Sequence, residues 1–590
     1  MNKIPYLSYP RPDYRRNDWT DLSGTWQFAF GEEFKNEDKV FSSSSYPRTI
    51  EVPFAYQTPM SGINDISYHE ILWYRKTFTL PSSMIGKRIF LCFGAVDYEA
   101  EVWINNQKLG SHIGGYTPFN FEITKYISDK SITQGENVIV VKVKDDTDTA
   151  IPRGKQYWKE TPDRCWYTPT SGIWQMVWLE AVEAKPINHI KLEPDIDNNR
   201  FIASVTVDEY QKGDRINLIV NYKGITVKEI IASLDGKRTE IVVALKAEDA
   251  IDEVHYWTPE TPNLYDVTFR LYHEGKSLDT VETYFGMRKV SVDEGRFLLN
   301  NRPYFLKMIL DQGYWQESGL TPPNIESLCH DIEMTKEYGF NGSRKHQKIE
   351  DPRFYYLADV FGLIVWGEVP SAYEFCDQEM ENITRDFQEF IKRDGNHPCI
   401  VAWVPLNESW GVRKIVTDRR QQEFGKMLYF MAKAYDPGRL VSTNDGWENV
   451  ESDILSIHDY ASTGEEISKK YTKEALEKPE GLFPGGRRLL SYGDKMDANK
   501  RMVMVTEYGG IALRTDTSGN NWGYGDSEVD LESVIARFQD VTSAIVNIPG
   551  CCGYCYTQLT DVYQEVNGLL DSNHNIKISP DRIRKIIDKS

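Results

Sequence analysis

Two glutamates stand where otherwise apolar β-runs end: Glu408 closes CIVAWVPLNE and Glu507 closes MVMVTE. Burying a carboxylate at such a place without a partner is costly, so each reads as part of a hydrogen-bonded site. Two carboxyls about 5–5.5 Å apart can flank one bond, one as nucleophile and the other as acid and then base, the chemistry of retaining glycoside hydrolysis. The charge of the nucleophile is then expected to raise the pKa of the other carboxyl, so that the acid starts protonated.

The elements that must bring these two residues together are legible beyond about residue 300, where strands alternate with helical segments. The segments YFLKMIL, GFNGSRK, LIVWGE, CIVAWVPL, RLVSTND, DILSIHDY, MVMVTEYGG and GYCYTQL make eight strands, which predicts a (β/α)8 barrel over residues 290–590. Reacting groups of such barrels sit at the C-terminal strand ends. In chain order these ends carry Asp311, Arg344 and Lys345, Glu368, Asn407 and Glu408, Asn444 and Asp445, His458 to Tyr460, Glu507, and Tyr556 to Gln558. The Lys-, Glu- and Gly-rich stretch 461–501 is expected to overhang the barrel mouth or to mediate contacts.

Ahead of the barrel, residues 1–183 alternate with period two through TWQFAF, LWYRKTFTL, RIFLCFGAV, EAEVWINNQ, ENVIVVKVK and GIWQMVWLE, predicting a jelly-roll β-sandwich. Residues 184–289 hold a second set of short strands, about seven over about 100 residues, the dimensions of an immunoglobulin-like sandwich. The fold class is therefore multidomain, β followed by α/β.

Composition removes several alternatives. A net charge of -20 repels nucleic acid and anionic lipid, and no window reaches the ~18 unbroken apolar residues of a membrane helix. The start MNKIPYLSYPRPDYRR has no apolar signal region, so a cytoplasmic location is expected, with the 8 Cys reduced. No CxxC pair recurs at zinc spacing, and neither GxGxxG nor a Walker loop is present, so no metal and no cofactor is expected. His346 and His458 lie on different strands without companion ligands and are expected to bond sugar or backbone. The 15 Trp, 34 Tyr and 25 Phe serve mostly as β-core, while Trp366, Trp410, Trp522 and Tyr556 are candidates for a sugar-stacking wall.

WVPLNESWG, VTEYGG, the first-domain segments DLSGTWQFAF and SGIWQMVWLE, and NNRPYFLK at the barrel entry together resemble glycoside hydrolase family 2, which includes β-galactosidases, β-glucuronidases and β-mannosidases. The resemblance spans nearly the whole chain. It implies Glu408 as acid/base, Glu507 as nucleophile, Asn407 as the residue bonding the sugar 2-hydroxyl, and Tyr460 as the tyrosine beside the nucleophile. With those roles Glu408 is expected to start protonated, its pKa raised by the charge of Glu507, and Arg344 is the candidate for keeping Glu507 ionised. It also implies a first-domain loop, YWKETPDRCWYTPTSGIW, that reaches the site with an acidic residue, Asp163. Gln347 stands where β-galactosidases carry His, and no Asn-x-Lys motif follows Glu507. The sugar is left open between a neutral hexoside and a hexuronide, the latter held by the basic cluster Arg344, Lys345 and Lys348. The expected function is an exo-acting retaining β-glycosidase of β-galactoside or β-hexuronide type, with a carbohydrate partner and assembly into a homo-oligomer through the β-domains. The alternative is a non-catalytic carbohydrate-binding protein on the same scaffold.

Overall fold

Eight parallel strands carry the site: β1 (Leu306–Asp311), β2 (Gly342–Lys345), β3 (Ile364–Glu368), β4 (Ile400–Val404), β5 (Leu440–Val441), β6 (Ile454–Asp459), β7 (Met502–Gly509) and β8 (Cys551–Thr557). Their order in the sheet, β5-β4-β3-β2-β1-β8-β7-β6, runs round a barrel, with a short parallel pair, Leu406–Asn407 beside Asn444–Asp445, extending β4 and β5 at the mouth. The computed structural model describes residues 4–34, 36, 38–127, 136–245, 254–477, 502–513, 521–524, 528 and 530–589. The (β/α)8 expectation is met strand for strand.

Buried parallel strands read as continuous apolar runs because helices cover the outer face. Those helices include α1 (Ile325–Glu337), α2 (Pro352–Phe361), α3 (Asp377–Asp394), α4 (Arg419–Tyr435) and α5 (Leu531–Val546). Four of them start on a side-chain cap of the expected type: Asn324, Asp351, Asp418 and Asp530 each accept from a backbone N–H of the first turn.

The first domain packs a six-stranded sheet against a four-stranded one. Its alternation is the cause: Trp26, Phe28 and Phe30 on one strand and Leu91 and Phe93 on another turn into a common core. The second domain packs three strands on four, with Phe201, Ala203, Val205 and Val207 facing Ile216, Leu218 and Val220. The fold class expected from the sequence is thus the observed one. In the 461–501 stretch, the described part forms helices Gly464–Lys470 and Lys473–Glu477, and Gly464 N–H donates to Asp540 of α5 at 2.7 Å. That part packs on α5, with Lys470 and Tyr471 both donating to Asp459 at the end of β6 at 2.7 Å; residues 478–501 lie outside the described residues.

Candidate active site

Arg344, at the end of β2 and 0% exposed, organises the barrel mouth. Its Nε donates to Glu368 at 2.8 Å, NH2 to Asn407 Oδ1 at 2.7 Å, and NH1 to Glu507 Oε1 at 2.8 Å, with Asp445 Oδ2 also 2.8 Å from NH1. A rigid guanidinium fork can hold four strand ends in register in this way, which a lysine could not. Because Arg344 is donor-only, it fixes Asn407 with its oxygen inward and leaves the amide nitrogen free to meet a ligand hydroxyl.

Glu507 has both oxygens engaged, Oε1 by Arg344 and Oε2 by the Tyr460 hydroxyl at 2.5 Å. Glu408 faces it from β4, and one oxygen of each lies within 4.8 Å of the other. The side chain of Glu408 is 18% exposed and that of Glu507 4%, so Glu408 lies on the open side. Glu408 and Ser409 adopt left-handed backbone, φ 51 and 56, unusual without glycine. The turn is held by Asn444, which accepts from Ser409 N–H, and by Glu448, which accepts from the Ser409 hydroxyl.

His458, at the end of β6, joins the two carboxyls. Nδ1 lies 2.9 Å from Glu408 Oε1, and Nε2 lies 3.0 Å from Asp445 Oδ2 and 3.4 Å from Glu507 Oε1. Burial alone would lower its pKa, but the Glu507 charge and the bonds to Asp445 and Glu408 outweigh burial and raise it to about 10. The expectation for Glu408 is corrected accordingly. Burial raises its pKa, yet the hydrogen bond and charge of His458, aided by Lys155 and Trp410, bring it below the ordinary carboxylate value. In Glu368, by contrast, burial prevails over Arg344 and lifts the carboxyl to about 7.

Donor atoms of Glu408, His458 and Glu507 are close enough to surround a cation. Arg344 NH1, 2.8 Å from Glu507 and 3.2 Å from His458 Nε2, already supplies positive charge there. The other cluster of this kind among the described residues, Asp359, His397 and Cys399, has its carboxylate occupied by the Tyr284 hydroxyl, His397 and the Cys399 N–H.

The structure brings together Asn407, Glu408, Glu507, Arg344, Glu368, His458 and Tyr460. Lys345 stands apart, paired with Asp311 and Glu350 and lying over the Phe354 ring. Lys348 bonds Glu350 and the carbonyls of Gly313 and Leu320, so the basic cluster is neutralised inside the protein. Tyr556 is core: the two-residue period of β8 turns it outward onto Phe538 and Tyr508, and Thr557 is the neighbour that meets Tyr460. Trp366 is likewise buried at 1% exposed. Asp163 is exposed at the tip of its loop, in a local bridge with Trp166.

That loop does reach the site, through other residues. Arg153 and Gly154 N–H both donate to the Ser371 carbonyl at 3.0 Å, and Gln347, at the place of the expected His, holds Ser371 through side chain and backbone. Trp166 then meets Trp410 at 5.1 Å and donates to the Tyr373 hydroxyl at 2.8 Å, while Trp158 lies 4.4 Å from Tyr373. Trp410 itself donates to Glu408 at 3.3 Å. On the other side Tyr524 stacks on Tyr460 at 3.5 Å, with Trp522 edge-on at 4.9 Å. Lys155, Tyr373 and Tyr524 were not singled out from sequence. The signal for Lys155 was its position just before the loop that the family resemblance picks out.

Fold and site together define a class, a (β/α)8 barrel with a paired-carboxylate centre partly walled by a β-sandwich domain. The chain belongs to glycosyl hydrolases family 2, matching the family's sugar binding domain over residues 19–182, its middle domain over 186–288 and its TIM barrel domain over 290–512. It is 26% identical over 553 residues to a β-galactosidase of Thermoanaerobacter pseudethanolicus, covering 91% of this chain and 66% of that one. It is 25% identical over 437 residues to a β-glucuronidase of Streptococcus agalactiae, 68% of each. It spans 45% and 37% of the lengths of two putative β-glucuronidases of Formosa agariphila. Among solved structures, a β-galacturonidase of Eisenbergiella tayi superposes with TM-score 0.74 at 19% identity, covering 98% of this chain and 97% of that one.

Proposed function

We propose that this protein is an exo-acting retaining β-glycosidase. The observation that carries the reading is the pair Glu408 and Glu507, with oxygens within 4.8 Å across the mouth. So close an approach of one oxygen from each fits the ~5–5.5 Å carboxyl separation of double displacement better than the ~6.5–9.5 Å that leaves room for a water in inversion. In the first step Glu507 bonds to the anomeric carbon while the leaving oxygen takes a proton from Glu408. In the second, water loses a proton to Glu408 and displaces Glu507. Arg344 and Tyr460 hold Glu507 as the ionised nucleophile, and the Asn407 amide is placed for the sugar 2-hydroxyl. Aromatics from two domains, Trp158 and Trp166 against Tyr373 and Trp410, wall the opening in a manner suited to one terminal sugar and its aglycone.

The sugar belongs to the β-galactoside or β-hexuronide class, the activities named for the relatives. Lys155 favours the hexuronide reading. It is 9% exposed, and no carboxylate lies within 4.0 Å of its ammonium among the described residues, although Cys165, Glu565, Tyr373 and Glu507 surround it and raise its pKa against burial. The test is a panel of aryl β-galactoside, glucoside, mannoside, glucuronide and galacturonide, with Glu507→Gln as control. We expect turnover of a β-galactoside or hexuronide, lost by at least ~10³-fold in the variant. A parent that cleaves no member of the panel but binds one would establish the non-catalytic alternative. Selective loss of uronide turnover in Lys155→Gln would assign that lysine.

A further inference from the structure

Both ring nitrogens of His458 face carboxylate oxygens, Glu408 at 2.9 Å and Asp445 at 3.0 Å. A neutral imidazole has one N–H and one lone pair, so one of these contacts would set a lone pair against an anion. A neutral ring donating through Nδ1 to Glu408 and accepting at Nε2 from Arg344 NH1, 3.2 Å away, is a third arrangement, but it holds no proton for a leaving group. Two arrangements hold that proton and avoid the lone-pair contact. Either His458 is an imidazolium between two carboxylates, or it donates to Asp445 through Nε2 and accepts at Nδ1 from a protonated Glu408. The two contain the same protons and differ only in where one sits along the Nδ1···Oε1 line.

The Asp445 end of this chain is fixed. Its oxygens accept from the Ser442 hydroxyl at 2.6 Å and face Arg344 at 2.8 Å, and these, with His458, hold it ionised in spite of burial. The remaining charged groups around the ring are Arg344, 3.2 Å from Nε2, and Glu507, 3.4 Å from Nε2. His346 at the end of β2 is buried, with burial first and then Lys155 and Arg344 keeping it neutral. The ring's placement is built into the backbone: at Gly446, φ 81, an added Cβ would come within 2.1 Å of His458 Cγ and Cδ2.

We propose that His458 is the proton store of the acid/base, holding in the resting enzyme the proton that Glu408 delivers to the leaving group. The inference rests on the retaining-glycosidase reading above. As Glu507 bonds to the anomeric carbon its charge disappears, and with it the largest of the effects that raise the basicity of His458. The proton passes from Nδ1 to Glu408 Oε1 and on to the glycosidic oxygen as the C–O bond breaks, leaving neutral His458 and ionised Glu408. When water attacks, its proton goes to Glu408 and back to Nδ1 as the Glu507 carboxylate is released. Protons and charge balance over the cycle. His458 is a positioning residue in this scheme, acting on substrate only through Glu408.

The experiment compares aryl β-glycosides of poor leaving groups, phenyl and 4-methylphenyl, with 2,4-dinitrophenyl, which departs without acid assistance. For His458→Gln we expect kcat/KM on the poor leaving groups to fall ~10²-fold or more and on dinitrophenyl less than ~10-fold, with the alkaline limb of the pH profile moved to lower pH. Gly446→Ala keeps the imidazole but displaces the ring and is expected to give the same leaving-group dependence. Equal losses on all substrates with the pH limb unmoved would overturn the proposal. The parent supplies a measurement free of any folding defect: trapping Glu507 with a dinitrophenyl 2-fluoroglycoside at pH 8 should release a proton beyond that accounted for by dinitrophenol, and no extra proton would also overturn it. Inactivity of the parent on the whole panel would instead remove the retaining-glycosidase reading itself.

Discussion

Glu379 of α3 is a buried carboxyl 0% exposed, beneath the turn that carries Glu408. Its Oε1 sits so close to Gly411, φ 78, that a Cβ there would lie 1.9 Å from it. Burial pushes its pKa up to about 9, against a smaller opposing effect of the Cys376 backbone. A carboxyl raised in the fold contributes its full stability below its unfolded value and loses it as pH rises toward the folded one. Glu379→Gln is therefore expected to stabilise the protein, by up to ~3 kcal/mol at pH 7, with an advantage that widens from pH 5 to pH 9 in urea unfolding. An advantage independent of pH would contradict this. His458 follows the same sign, its contribution present below pH 6.5 and lost as pH passes about 10. At this scale the two catalytic candidates were readable because a Glu after an apolar run is anomalous in itself. The protonation of Glu408 was not, because it is set by a His fifty residues further along, whose contact only the barrel closure creates.

Gly154 shows what an element contributes that no single site residue does. The first-domain loop enters the mouth with Gly154 at φ 60, where a Cβ would stand 2.3 Å from the Gln347 carbonyl oxygen. The Tyr373 hydroxyl, which also accepts from Trp166, donates to the Gly154 carbonyl. Gly154→Ala adds both left-handed strain, ~1–3 kcal/mol, and a clash at this seam. It is expected to lift Lys155 and Trp166 from the barrel, lowering kcat/KM for aryl glycosides at least ~10-fold while far-UV circular dichroism stays unchanged. Retained activity would show that the loop is not needed. The strands themselves were legible because period two and continuous apolar runs are local signals. The face a residue presents at a strand end is less so: on β8 a shift of one residue separates Tyr556, packed on Phe538, from Thr557 beside Tyr460. The roles of Lys345 and Lys348 were hidden for a related reason: Asp311 is brought in from the end of β1, and Glu350, though close in sequence, pairs with both only because the segment after β2 folds back on itself.

At the scale of the whole molecule one of the barrel's two buried clusters is shared with the β-domains, while the other, around Ile309, Val505 and Phe538, is the barrel's own. Tyr116, Tyr167 and Trp174 of the first domain and Trp257 of the second lie in the same buried cluster as Leu306, Trp366 and Trp403 of the barrel. Polar ties follow the same seams. Arg16 binds Glu180 at 2.7 Å and Asp279 at 2.9 Å, and Tyr284 donates to Asp359 at 2.8 Å. Fully burying a large apolar side chain contributes ~1.5–3 kcal/mol, so the four aromatics alone contribute roughly 10 kcal/mol across domain boundaries. That matches the ~5–15 kcal/mol net stability of a typical domain. The three domains are thus expected to unfold in one cooperative transition, with tryptophan fluorescence and circular dichroism coinciding in guanidinium. Arg16→Met, which leaves Glu180 and Asp279 buried with fewer partners, should lower that single midpoint without splitting it. A barrel expressed alone over residues 290–590 should be aggregated or protease-sensitive, since it would expose the faces that those aromatics cover. A folded, monomeric barrel, or separate transitions in the full chain, would show that the seams are interfaces between independent domains and that the first-domain loop is free to leave the site.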